Sequence, residues 1–270
     1  MMQVYTYGVS NVYSEKAEDF SHEAVDAKMT GGEVDFEEEV ILNKSFIDNN
    51  CLYGVYTAMG KATKFKEYLQ NFDNNFTNPV ANLRLTTGVH PVYPNATAVT
   101  DEPNNYLIKI TFNPNLLNRP NIDVARTMIH EMIHAEMYRK LLSIARQPEV
   151  PWTEAFIKSL KNDFEGLEEY YTRYWLEWPL DQPAGAPQHQ LMAEHYIEII
   201  KQTLRDYDDS LTDLQYEALA WVGLKGGAEL NAITGLPPNP TVAWEKEPLA
   251  NRLLLNSAYE NFIASNPNCQ

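Results

Sequence analysis

Thr127-Met128-Ile129-His130-Glu131-Met132-Ile133-His134-Ala135-Glu136-Met137 carries the pattern H-E-x-x-H. Around it, residues 122 to 146 read as one helix, because Asp123 favours the positive N-terminal end while Pro148 and Pro151 block continuation. Residues four apart on a helix share a face, so the imidazoles of His130 and His134 can reach one ion at the roughly 2.0 to 2.1 Å typical of Zn–N bonds. Glu131 then stands beside that ion, where its carboxylate can take a proton from an attacking water and deliver it to a departing amine. A shuffled chain of this composition would hold the pattern about 0.01 times, so coincidence is a weak competitor. The plain alternative is two histidines facing a core. Set among Met128, Ile129, Met132 and Ile133, an unpaired ring there would carry a desolvation cost.

A catalytic zinc keeps three protein ligands and an open position, so a third group is expected downstream. His22 lies in an acidic lead-in and His90 in a Pro-rich loop, which leaves His189 and His195 in Gln188-His189-Gln190-Leu191-Met192-Ala193-Glu194-His195. Six residues turn a helix by about 240°, so only one of these two rings is expected at the ion. His189 is preferred, because it opens its helix directly after the turn-forming Pro183-Ala184-Gly185-Ala186-Pro187. His195 and Glu217 remain the other candidates, His195 with a plain reading as a supporting or surface residue and Glu217 as a solvated helix carboxylate.

Upstream of the long helix, Cys51, Val55, Met59, Phe65, Tyr68 and Leu69 recur at spacings near three and four, which predicts one helix or two short ones through residues 49 to 72. Three short runs of β character follow, Val80 to Thr87, Ala96 to Thr100 and Tyr106 to Phe112, separated by Gly, Pro and Asn-Asn. In the last run, Tyr106, Ile108, Ile110 and Phe112 alternate with Leu107, Lys109 and Thr111, so one face is expected to be buried. That run is either an edge strand able to pair with an extended peptide or an ordinary sheet strand. Downstream, helices are expected at about 153 to 177, 188 to 207, 211 to 223 and 247 to 264, with breaks at Pro179 to Pro187 and Asn231 to Pro240. Strands clustered in sequence and followed by many helices give an α+β class: a small sheet on a long H-E-x-x-H helix, with a mainly helical C-terminal half. Phe164, Leu167, Tyr170, Tyr171, Tyr174, Trp175 and Trp178 form an aromatic band at helical spacing, read as core in preference to the wall of a substrate groove.

These segments carry a family likeness. His130-Glu131-Met132-Ile133-His134-Ala135 followed by His189 and Met192 resembles the SprT-like zinc metallopeptidases, more specifically a Bacteroidetes-type branch of them. Ile41 to Asn49 through Met59-Gly60-Lys61-Ala62, His134 to Lys140, Tyr170 to Tyr174 and Glu217 to Leu224 are similar to that branch, so the resemblance covers about residues 41 to 270. It implies a zincin-like fold with His130, His134 and His189 as zinc ligands and Glu131 as general base. The chain departs from the better-known members in two ways: 54 residues separate His134 from His189, and the basic nucleic-acid-binding surface is missing. The resemblance also implies a place at the C-terminal end of larger surface-associated or secreted polypeptides, with the lead-in as a junction.

The composition bounds the rest. Of 270 residues 44% are hydrophobic and 21% charged, the balance of a globular domain with a real core. The formal net charge of -16 repels phosphate backbones, which disfavours nucleic acid as a partner. Residues 1 to 40 hold ten acidic and two basic side chains with no sustained periodicity, and are read as a solvated lead-in ahead of a domain over 41–270. No run approaches a membrane span, and the first residues lack a Sec-type signal pattern, so a cytoplasmic chain or one exported with a carrier is expected. Cys51 and Cys269 allow at most one bridge. The leading functional expectation is a zinc-dependent endopeptidase acting on protein or peptide substrates, with Tyr196 or Tyr171 as conceivable oxyanion donors. The alternatives are a non-catalytic zinc-binding structural or docking module, or a peptidase used as a delivered effector.

Overall fold

The computed structural model describes residues 40–72, 81–101, 103–104, 107–145, 187–227 and 229–269. Most of the lead-in, the helix expected at 153 to 177, the aromatic band with Tyr171, and Tyr106 lie outside the described residues.

The chain is α+β. The described part opens with strand β1 (Val40–Leu42), then three helices, α1 (Lys44–Ile47), α2 (Asn50–Met59) and α3 (Thr63–Gln70). Strands β2 (Asn82–Thr87), β3 (Ala98–Thr100) and β4 (Leu107–Phe112) follow, and then the long helix α4 (Asn121–Ala145). The C-terminal part contributes α5 (Pro187–His195), α6 (Ile197–Tyr207), α7 (Asp213–Ala220), α8 (Val242–Lys246) and α9 (Leu249–Ser265). Of the two readings of residues 49 to 72, two short helices are what forms, parted at Gly60-Lys61-Ala62, and the expected 188–207 helix divides at Tyr196.

The four strands form one mixed sheet in the order β1-β2-β4-β3. β1, β2 and β4 run parallel, and β3 pairs antiparallel with β4. The alternation read in the third run holds at its start, with Ile108 and Ile110 fully buried and Leu107 and Lys109 only partly so, but breaks at Thr111, which is buried along with Phe112 because β3 and β2 flank this end of the strand. Its second reading as an edge strand does not hold, because β4 is bonded on both sides, to β2 and to β3. The edge beside α4 belongs to β3. A three-residue strand has too little sequence to announce its place in a sheet.

Helix α1 (Lys44–Ile47) lies ahead of the helical stretch expected at 49 to 72, and two further elements were not expected either. Val40–Leu42 becomes a strand by pairing with Leu83 to Leu85, although Val40 was placed in the lead-in, and Val242–Lys246 becomes a short helix capped by Thr241. Neither is long enough to display a period, so each is fixed by its tertiary partners.

Helix α4 is the axis of the fold. It packs against α2, α3, α6 and α7 and against strands β3 and β4, and its residues from Ile122 to Arg139 are all buried. A helix buried on every side must satisfy its polar groups internally. At its N-terminal end Asp123 accepts from Arg119 Nη1 at 2.9 Å and from Arg126 Nε and Nη2 at 3.1 and 2.9 Å. Further along, Arg139 donates a two-pronged pair of bonds to Glu136 at 2.7 and 2.8 Å. His130, Glu131 and His134 are the polar side chains midway along it.

The two cysteines are joined: Cys51 of α2 and Cys269 form a disulfide that ties positions 218 residues apart, with Cα atoms 5.4 Å from each other. No helix among the described residues is long and apolar enough to cross a membrane.

Candidate metal centre

His130 and His134 stand one turn apart on α4, each less than a tenth exposed. Their Nε2 atoms face one another at 3.2 Å. Two nitrogens bound to one tetrahedral ion at 2.0 to 2.1 Å would be about 3.3 Å apart, so the pair already has the separation of co-ligands. Helix α5 brings the third imidazole. Pro187 opens it, and Met192 and Ala193 on its inner side are buried in the core, which aims His189 at α4. The His189 ring centroid lies 5.4 Å from that of His130 and 5.2 Å from that of His134. The three side chains offer ligand atoms that all lie within 4.8 Å of one another, a group that could hold a metal ion.

The electrostatics suit that use. Burial pushes the His130 ring well below the ordinary imidazole value, and His134, His189 and Arg126 push it further the same way. His189 is driven down to about 3, first by burial and then by His134. Both rings are therefore neutral at physiological pH, the state in which imidazole binds metal.

Glu131 lies between its two flanking histidines in sequence and is 7% exposed. Burial raises its carboxyl to about 7, although the hydrogen bond from Thr100 and the charge of Arg126 oppose the rise. The Thr100 hydroxyl lies 2.7 Å from Glu131 Oε2 and 3.1 Å from the Glu131 carbonyl oxygen. Edge strand β3 is thus fastened to the helix at the acid itself. A carboxyl brought near neutrality by its surroundings is matched to proton transfer at physiological pH.

The remaining candidates stay apart. His195 sits at the exposed end of α5, and Glu217 lies on α7; neither belongs to the three-residue group. His90 fastens its own loop: its Nδ1 accepts from the backbone N–H of Val92 and Tyr93, so the Nε2–H donates to Asp101 at 2.9 Å. The phenol of Tyr196 is held up by burial and by Glu136, and it acts in turn on Tyr68, so its electrostatic neighbours belong to the α3 side of the helix.

Two residues at the centre went unseen in the sequence. Thr100 was only one residue of a β run, and Gly223 was one residue of an expected helix. The glycine's open face lies against the His130 ring: a β-carbon there would be 3.1 Å from Cε1. No sequence signal marked Thr100, whereas the pair Gly226-Gly227 just downstream marked a turn near Gly223.

Compared with known family models, curated proteins and solved structures, the chain matches none.

Proposed function

We propose that this chain is a zinc-dependent endopeptidase with a zincin-like arrangement of the SprT-like kind, its ion held by His130, His134 and His189. The single observation that carries the reading is the arrival of the His189 ring from α5 at the two imidazoles of the H-E-x-x-H helix. Three imidazole nitrogen donors suit zinc and would leave a fourth position for water or substrate. When bound, such an ion lowers the pKa of water and polarises the scissile carbonyl.

The chain's own residues supply the rest. Glu131 takes the proton from the attacking water at its carboxylate and returns it to the amine nitrogen as the C–N bond breaks. Thr100, hydrogen-bonded to Oε2, fixes which carboxylate oxygen points away from β3. The outer edge of β3, which no described strand pairs with, is where an extended peptide would add as a further strand, with main-chain hydrogen bonds supplying affinity. A purely structural zinc site, the competing reading, has no use for a buried carboxylate next to its first ligand. The net charge of -16 also favours a protein substrate over nucleic acid.

Glu131→Gln tests the mechanism. It is expected to retain one zinc per chain by elemental analysis while its cleavage of unfolded casein falls at least about 100-fold, the usual scale for losing a general base. Equal cleavage by both forms would remove the peptidase reading.

A further inference from the structure

A histidine that binds metal through one nitrogen usually donates from the other to a carboxylate, a carbonyl or water, and that bond sets the ring's orientation. Among the described residues His130 lacks this support: its Nδ1 is buried and no described group hydrogen-bonds to it. What faces the ring is the Gly223 backbone. Gly223, in the turn that follows α7, has φ +88, and a β-carbon on it would stand 3.1 Å from Cε1, 3.5 Å from Nδ1 and 3.7 Å from Nε2 of His130. All three ring atoms are approached together, so the glycine lies against the imidazole. Ordinary carbon contacts are about 3.5 to 4.0 Å, so a β-carbon at 3.1 Å from Cε1 would push the ring by a few tenths of an ångström.

The turn itself has little freedom to yield. The Leu224 carbonyl accepts from Thr241 Oγ1 at 2.7 Å, and the Lys225 carbonyl accepts from the Thr241 N–H at 3.1 Å. Lys225 is 6% exposed, donates to Asn256 Oδ1 at 2.6 Å, and lies 4.9 Å from the centre of the Trp244 ring. Trp244 in turn packs on Trp221 at the start of the same turn, with ring centroids 4.8 Å apart.

From this geometry we infer that the Val222–Lys225 turn is a rigid floor for the metal centre, and that Gly223 is a positioning residue which holds the His130 ring with Nε2 toward His134. Backbone close to the ring stands in for the hydrogen bond that the described residues do not supply. The inference rests on His130 being a metal ligand, and it adds a residue that neither the H-E-x-x-H pattern nor the ligand set contains.

Zinc and cobalt(II) titrations, with the cobalt visible absorption spectrum, read the ring's placement without any peptide. Gly223→Ala is expected to bind either ion at least tenfold more weakly and to alter the cobalt spectrum. Gly235→Ala is the control: its φ is +64 and a β-carbon would meet Arg252 Cβ at 3.2 Å, so it carries comparable backbone strain away from the imidazoles. It is expected to lower the Tm and leave metal affinity unchanged. Affinity within twofold of wild type in Gly223→Ala would overturn the inference.

If Gly223→Ala is too unstable to titrate, the metal-free protein decides the matter through a cycle with His130→Ala. Removing the ring is expected to shrink the Tm loss caused by Gly223→Ala by half or more, or to restore folding. Additive losses, or a double variant no better folded than the single one, would overturn the contact. A wild-type chain that takes up neither ion would sink the metal reading, while the metal-free cycle would still judge whether Gly223 holds the ring.

Discussion

Removing one imidazole separates the three nitrogen donors from their neighbours. His189→Ala is expected to lose zinc on dialysis, with affinity at least about 100-fold weaker, because a two-histidine site lacks the donor that α5 delivers. His195→Ala, altered at an exposed position of the same helix, is expected to keep one zinc per chain by elemental analysis. The reverse outcome would exchange their roles. At this scale much was legible: the i, i+4 spacing placed His130 and His134 together, and Pro187 at a helix start singled out His189. Thr100 and Gly223 were not legible, since a hydroxyl in a short strand and a glycine near a turn acquire their roles from what lies across from them.

Helix α4 depends on a buried ion cluster at its first turns. Asp123 is fully buried; burial alone would raise its carboxyl, but Arg126 and Arg119 outweigh that and hold it below the ordinary 3.8. Replacing it with Ala leaves two buried guanidinium groups without their shared partner, and a loss of about 3 to 5 kcal/mol is expected from urea unfolding. The pH dependence has a definite sign. A carboxyl whose folded value is depressed contributes stability that is present above the ordinary value and lost as pH falls through the depressed one. Wild type is therefore expected to weaken below about pH 4 more steeply than Asp123→Asn, and parallel acid-unfolding curves would count against the cluster. The helix itself was legible because it spans 25 residues between clear stop signals. Strand β1 and helix α8, of three and five residues, were not, because a period needs more length than they have.

Across the whole molecule, the Cys51–Cys269 bridge joins α2 to the end of the chain, where the Cys269 N–H also donates to the Arg119 carbonyl at 2.8 Å. A link across 218 residues removes much loop entropy from the unfolded chain, up to about 5 kcal/mol in the chain-entropy account. Cys51→Ser is expected to lower the urea midpoint markedly while zinc content stays at one per chain. An unchanged midpoint would show that the C-terminal segment is held by its other contacts alone. The sequence set the limit of one bridge but not its existence, since Cα atoms must come within about 7 Å for a bridge to form.

Residue pattern alone was enough for the α+β class, the long central helix and the pairing of two histidines beside a glutamate on it. Helical periodicity and residue type are local properties that survive without knowledge of neighbours. Packing settled that β3 and not β4 is the sheet edge among the described residues, that the His189 ring comes to the pair, that Thr100 bonds the acid, and that Gly223 faces the first histidine. Those facts depend on where distant segments pack, and pairing across a chain is set by the global minimum of burial and hydrogen bonding, which no short window of residues encodes.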